Sequence, residues 1–268
     1  MRIRAGYELT YHCPQPLDMF LMVSVHQSRA HDLLTEGQIS FSQGSPPRTY
    51  QDRFNNICTR VLAAAGTLTI STEFIIGDTG NPDPVPWRAP QHPIAELPND
   101  VLIFLLASRY CETDRMTGLA WGLFGHIPPG YGRVDAILQF VHDHIRFDYQ
   151  LASSTRSAWG AYRDGVGVCR DFTHLAVTFC RCLNIPARYC TGYLGDIRVP
   201  LAPYPMDFSA WFEVYLGGAW YTCDARHYAP RIGRVLMAVG RDAIDVAIST
   251  SFGSAPLTGF HVITEEVG

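Results

Sequence analysis

The 268-residue chain is predicted to be an α+β protein, with an antiparallel β region first and a helix-plus-sheet core behind it. Three observations predict this. Short runs with period-two character recur from Tyr7 to Ile76, a proline-rich stretch interrupts the chain at Gly77–Pro98, and a helical run that starts at Cys169 is followed by alternating segments. A helix followed by the strands of one sheet is an α+β arrangement.

The first region contains the runs YELTY, FLMVSVH, QISFSQ, RVLAA and TLTISTEFII, divided by Pro, Gly and polar turn residues. Gly77–Pro98 holds six prolines, which remove backbone donors and restrict the residues before them, so it is predicted to be a linker. The expected division is therefore residues 1–98, a β-rich domain with its linker, and residues 99–268, the core with a C-terminal extension.

In the core, Val101–Leu106 is a short apolar run and Met116–Phe124 suits a short helix. Val134, Ile137, Leu138 and Val141 make the apolar stripe of an amphipathic helix over Val134–Ile145, and Arg146–Gln150 reads as a strand ending near Tyr149. From Cys169 the spacing of Phe172, Leu175, Ala176, Phe179 and Leu183 is helical, and Asn184 with Pro186 ends the run. ARYCTGYLG, SAWFEVYL and AWYTCDARH alternate as successive strands, with Gly217-Gly218 as the turn between the last two. The tail from Arg231 is expected to add helix and strand around the core, and its Gly233-Arg234 and Gly240-Arg241 pairs either line a surface or mark loops.

Composition narrows the function classes. A net charge of −4 with scattered Lys and Arg gives no nucleic-acid footprint. No apolar stretch approaches the roughly 20 residues that span a bilayer, and the N-terminus lacks the pattern of a secretory signal, so no membrane association and a cytoplasmic location are expected. Eight cysteines without such a signal are expected to stay reduced, most of them as small buried residues. None stands at a zinc-like spacing with His or another Cys, and no EF-hand loop occurs, so neither a metal nor another cofactor is expected.

Cys169 is the exception among the cysteines, because it opens a helix. The positive end of the helix and its free N–H groups favour a thiolate, and Gly165 and Gly167 free the preceding backbone and leave room for a substrate.

Four blocks, GVGVCRDFTHL, NIPARYCTGYL, AWFEVYLGG and WYTCDAR, in that order and spacing, resemble the core of the transglutaminase-like superfamily in its bacterial members. The resemblance covers about Asp143 to Asp245, and the β-rich first hundred residues resemble the region that accompanies many of those cores. It implies a papain-like fold and thiol acyl transfer on a peptide or protein amide, with Cys169 as nucleophile and Asp224 as the acid that orients a base.

The family places its His directly before the Ala-Trp pair, and here that residue is Ser209. A hydroxyl does not hold a proton near neutral pH as imidazole does. His174 lies five residues past Cys169, about 140° round the helix, and is expected to pack or cap instead. His227, three past Asp224, falls on the opposite face if the strand continues, and swings back if Ala229-Pro230 has already ended it. Tyr149 is a candidate second donor to an oxyanion after the Cys169 N–H, while Ser209 and Trp211 are candidates for substrate contact. Asp207 and Glu213 are weaker ones. Three functions stay open: a thiol enzyme using Cys169, Asp224 and His227; a binding module that has lost acid–base chemistry; and a structural protein whose cleft is filled by Trp211, Trp220 and Tyr221.

Overall fold

The computed structural model describes residues 1–268. The first region runs β1 (Arg2–Cys13), β2 (Leu17–Leu21), β3 (Ser40–Phe41), β4 (Arg48–Gln51), β5 (Ile57–Ala63) and β6 (Gly66–Gly77). The core follows with α1 (Thr113–Phe124), α2 (Tyr131–His144), β7 (Arg146–Phe147), α3 (Ala158–Asp164), β8 (Val166–Gly167), α4 (Cys169–Cys182), β9 (Ala187–Leu194), β10 (Ser209–Leu216) and β11 (Ala219–Cys223). The tail contributes β12 (Arg234–Gly240), β13 (Ser249–Ser251) and β14 (Leu257–Val267). The molecule is α+β, with antiparallel four-stranded sheets and one short parallel pair, β7 with β8.

Alternation builds the first region: Ile3, Ala5, Tyr7, Leu9 and Tyr11 of β1 are buried, against Leu68, Ile70, Phe74 and Ile76 of β6. The tail returns to this region. β14 pairs with β1 and β13 with β2, and Val262 joins the same apolar core. No helix forms in the tail, contrary to expectation. Asp242 Oδ1 accepts the Ile244 N–H and turns the chain after β12, and the segment that follows pairs with existing strand edges instead.

In the core sheet the order is β11-β10-β9-β12, and α4 packs across it as the central helix, with α1, α2 and α3 against α4. The sequence shows α4 as one-sided, yet every residue from Asp171 to Cys182 is buried. Its two buried threonines bond back to the preceding turn, and His174 accepts from the tail. Thr173 Oγ1 donates to Cys169 O (2.9 Å) and Thr178 Oγ1 to His174 O (2.7 Å), while the Ala243 N–H donates to His174 Nε2 (3.2 Å). His174 also stacks on Tyr110, so it packs inside the core as its angle from Cys169 implies.

Two boundaries differ from the sequence reading. Val101–Leu106 contains a 3₁₀ turn over Leu102–Leu105, and Tyr149 lies in a second one, Tyr149–Leu151, because the Asp148 carboxylate accepts the Gln150 N–H and ends the strand at Phe147. The Gly217-Gly218 turn is as expected, with both residues at positive φ (57° and 86°), the backbone that a two-residue hairpin requires.

Candidate active site

Cys169 is the first residue of α4, behind Val168 in extended backbone. The Asp171 carboxylate folds back to accept the Val168 N–H (2.8 Å), and Arg156 steadies it. A Cβ on Gly167 would sit 2.5 Å from Asp171 Cβ, so glycine there is a matter of close approach, whereas Gly165 supplies a left-handed turn (φ 60°). These residues fix where the thiol emerges.

The thiol is partly exposed and lies in a cavity of about 440 Å³ that Asp207, Phe208 and Ser209 also line. A second cavity of about 440 Å³ adjoins it across those same three residues and contains Tyr149, Tyr204, Arg226 and His227. Ser209, at the start of β10, therefore stands on the wall between the thiol and His227.

Asp224 follows the end of β11 and is buried. Its Oδ1 accepts the backbone N–H groups of Arg226 (3.0 Å) and His227 (3.1 Å), and its Oδ2 accepts from His227 Nδ1 (2.8 Å) and Arg234 Nη2 (2.8 Å). The chain turns directly after Asp224, which brings His227 back onto the carboxylate. Of the two geometries open for His227 in the sequence, this is the second. Burial alone would raise the pKa of Asp224, but Arg234 and His227 more than reverse that and hold it well below the usual carboxylate range.

The thiol responds differently. Burial pushes Cys169 up to about 11, against the Arg226 charge, while Asp207 raises it further and the Ala210 N–H lowers it. Removal of the sulfur from water is the largest of these influences.

Tyr149 lies on the His227 side, edge-on to Tyr204 (5.0 Å) and Phe147 (4.9 Å). Trp211 belongs to neither cavity. It is buried under the Arg234 guanidinium (5.0 Å), facing a polar cleft shared with Arg188 and Glu213 and not the thiol cavity. Trp211 is two residues further along β10 than Ser209, opposite Cys190 of β9. Glu213 pairs with Arg188 opposite it on β9 (2.6 Å) and also faces that cleft. Asp207 does line the thiol cavity.

Sequence reasoning missed Arg226 and Arg234. Arg226 lies over the Phe147 ring (4.0 Å) and donates to the Tyr204 hydroxyl, and its charge reaches the thiol. Arg234 links Asp224 to Asp83 of the proline-rich segment through Nε (2.8 Å). The only sequence signal for Arg234 is the Gly233-Arg234 pair, which does not reveal a buried charge. No group of three or more His, Cys, Asp or Glu gathers as a metal site.

A thiol at a helix start, packed on an antiparallel sheet with a buried carboxylate beyond the end of a neighbouring strand, is the arrangement of a papain-like fold. Residues 119–225 match the transglutaminase-like superfamily. A crystal structure of a candidate cysteine protease from Cytophaga hutchinsonii superposes with a TM-score of 0.86, at 29% identity over 99% of this chain and 90% of that one. An uncharacterized protein of Mycobacterium leprae is 34% identical over 102 residues, and the match spans 37% of each chain. The periplasmic domain of TgpA from Pseudomonas aeruginosa is more distant, with a TM-score of 0.42, 14% identity and coverage of 83% of this chain and 88% of that one. Residues 119–225 are thus similar to the transglutaminase-like superfamily, and the whole chain shares the α+β fold of that candidate cysteine protease.

Proposed function

We propose that the protein is a thiol enzyme acting on amide bonds of peptides or proteins, in which His227, oriented by Asp224, replaces the family histidine that Ser209 lacks. The observation that carries this reading is the 2.8 Å bond from His227 Nδ1 to Asp224 Oδ2, in a cavity that adjoins the thiol across Ser209. Asp224 fixes the ring so that Nε2 is the atom left to exchange protons.

In the proposed reaction, Cys169 Sγ bonds to the amide carbonyl carbon as its proton passes to His227. The C–N bond then breaks, the amine leaves with that proton, and a thioester remains. Water or a second amine attacks the thioester, releases the acyl group and returns the proton to sulfur. The Cys169 N–H is the first oxyanion donor in this scheme, with Tyr149 on the amine side.

A second reading, a binding module that keeps the cleft, is favoured by the thiol pushed up to about 11 and by Ser209 itself. Acyl-enzyme trapping with an activated amide, followed by intact mass, separates the two. A mass gain on Cys169 that disappears in Cys169→Ala and falls about a hundredfold in rate in His227→Ala supports the enzyme. No gain in the wild type leaves the binding module.

No helix is long and apolar enough to cross a membrane. A cytoplasmic setting is part of this reading, on the strength of eight free cysteines, as is the division into residues 1–98 and 99–268.

A further inference from the structure

The cavity that holds the thiol is not closed by the core alone. One wall comes from β1, with Leu9 and Tyr11, and its outer rim from the adjoining strand β14, where Phe260 pairs with Leu9 and Leu257 with Tyr11. Phe208 lies between the two cavities. Leu9 and Tyr11 are buried, whereas Leu257 and Phe260 are 48% and 44% exposed, large apolar groups beside an open cavity. The charged side chains of this cavity are Arg170 and Asp207. Arg170 is engaged elsewhere, donating to Ser153 O and lying over Tyr110 (5.6 Å).

Chemistry assigns the two cavities to the two halves of an amide. The leaving amine must take its proton from the acid, so it belongs on the His227 side. The acyl half then falls in the cavity with Cys169. We propose that this cavity is an acyl-side subsite selective for a bulky apolar group, aromatic or branched aliphatic, and that the β-rich region contributes its recognition wall through β1 and β14. The inference rests on the thiol-enzyme reading for the direction of the substrate, and on the lining residues for its selectivity.

The test uses the full chain as Cys169→Ala, which binds without reacting, titrated by calorimetry with N-acetylphenylalanine amide and with N-acetylaspartic acid α-amide. Preference for the aromatic ligand of about tenfold or more is expected, the scale of burying one such side chain. Leu257→Asp and Phe260→Asp, both on the exposed rim, should each remove most of that preference. Leu34→Asp, 55% exposed and lining neither cavity, should leave it intact. Equal binding of the two amides, or a preference that survives both rim variants, overturns the proposal. Acylation of the wild-type protein by N-acetylphenylalanine 4-nitroanilide reads the chemistry separately. If no acyl-enzyme forms while the rim-dependent preference persists, the enzyme reading fails and the apolar subsite stands.

Discussion

Arg234 and His227 share one oxygen of Asp224: both donate to Oδ2, each at 2.8 Å. The carboxylate is thus saturated by two backbone N–H groups on one oxygen and two side chains on the other. Burial of a charge costs several kcal/mol unless it is paired, and here the pairing fixes both the ionisation of Asp224 and the orientation of the imidazole.

Replacing Asp224 tests both effects. Asp224→Asn leaves Arg234 with only Asp83 as a carboxylate partner, and a loss of about 3–5 kcal/mol is expected in denaturant unfolding at neutral pH. Because the folded-state pKa of Asp224 is depressed, its stabilisation is present above the unfolded value near ~4 and is lost as pH falls below it. The wild type should therefore lose stability more steeply than Asp224→Asn below about pH 4. Parallel acid-denaturation curves would show that the carboxylate is not held in this way.

Ser209→His returns an imidazole to the position before Ala210-Trp211. Since Ser209 lies on the wall between the thiol and His227, the new ring starts beside both Cys169 and His227. Iodoacetamide alkylation of Cys169 at pH 7 should rise by about tenfold to a hundredfold, toward the usual contribution of a positioned base. An unchanged rate would mean that the strand start does not direct a side chain onto the sulfur.

With the thiol pushed up to about 11, the thiolate fraction at pH 7 is about one part in ten thousand, since four units of pH separate the two. Alkylation of Cys169 should climb about tenfold per pH unit from pH 7 and level off near 11. Arg226→Ala, which removes a charge that favours the thiolate, should move that plateau to higher pH. The stability linkage has the opposite sign to that of Asp224: the protonated thiol's contribution is complete below the unfolded value of about 8.5 and is lost as pH rises toward 11. A plateau near or below pH 8.5 would contradict the dominance of burial.

What could be read in the sequence followed from periodicity and short-range chemistry. β1 and β6 showed in their alternation, α4 in its spacing, the Gly217-Gly218 hairpin in its turn residues, and Cys169 in its place at the helix start. What could not be read depended on contacts between distant residues. Nothing local marks Arg234 as the partner of Asp224, or Asp83 as the partner of Arg234, 151 positions earlier. The tail misled because the edges of β1 and β2 that capture β14 and β13 belong to the other end of the chain. The surroundings of Trp211 were hidden for a related reason. Period two places it on a face with Ser209, but not against which neighbours.

The central helix depends on a buried cation that makes no ion pair. Arg181, 2% exposed near the end of α4, donates from Nε and Nη2 to Ala187 O, from Nη1 to Leu106 O and Ser108 Oγ, and from Nη2 to Arg241 O. One guanidinium thereby ties α4 to the start of β9, to the 3₁₀ turn before α1 and to the loop after β12. Burial lowers its pKa, yet five donors in a planar fork suit several carbonyls at once in a way that an ammonium does not. Arg181→Met keeps much of the volume but strands these acceptors, each at a cost of about 1–3 kcal/mol if water does not reach it. A total loss of at least about 3 kcal/mol is expected by denaturant unfolding, with Arg181→Lys recovering only a part. Because the far end of α4 carries Cys169, the same variant should broaden the Cys169 environment. The check is faster alkylation of Cys169 at pH 7, where the protein is still folded. Unchanged stability in Arg181→Met would mean that water replaces the guanidinium and that α4 is held by its apolar contacts alone.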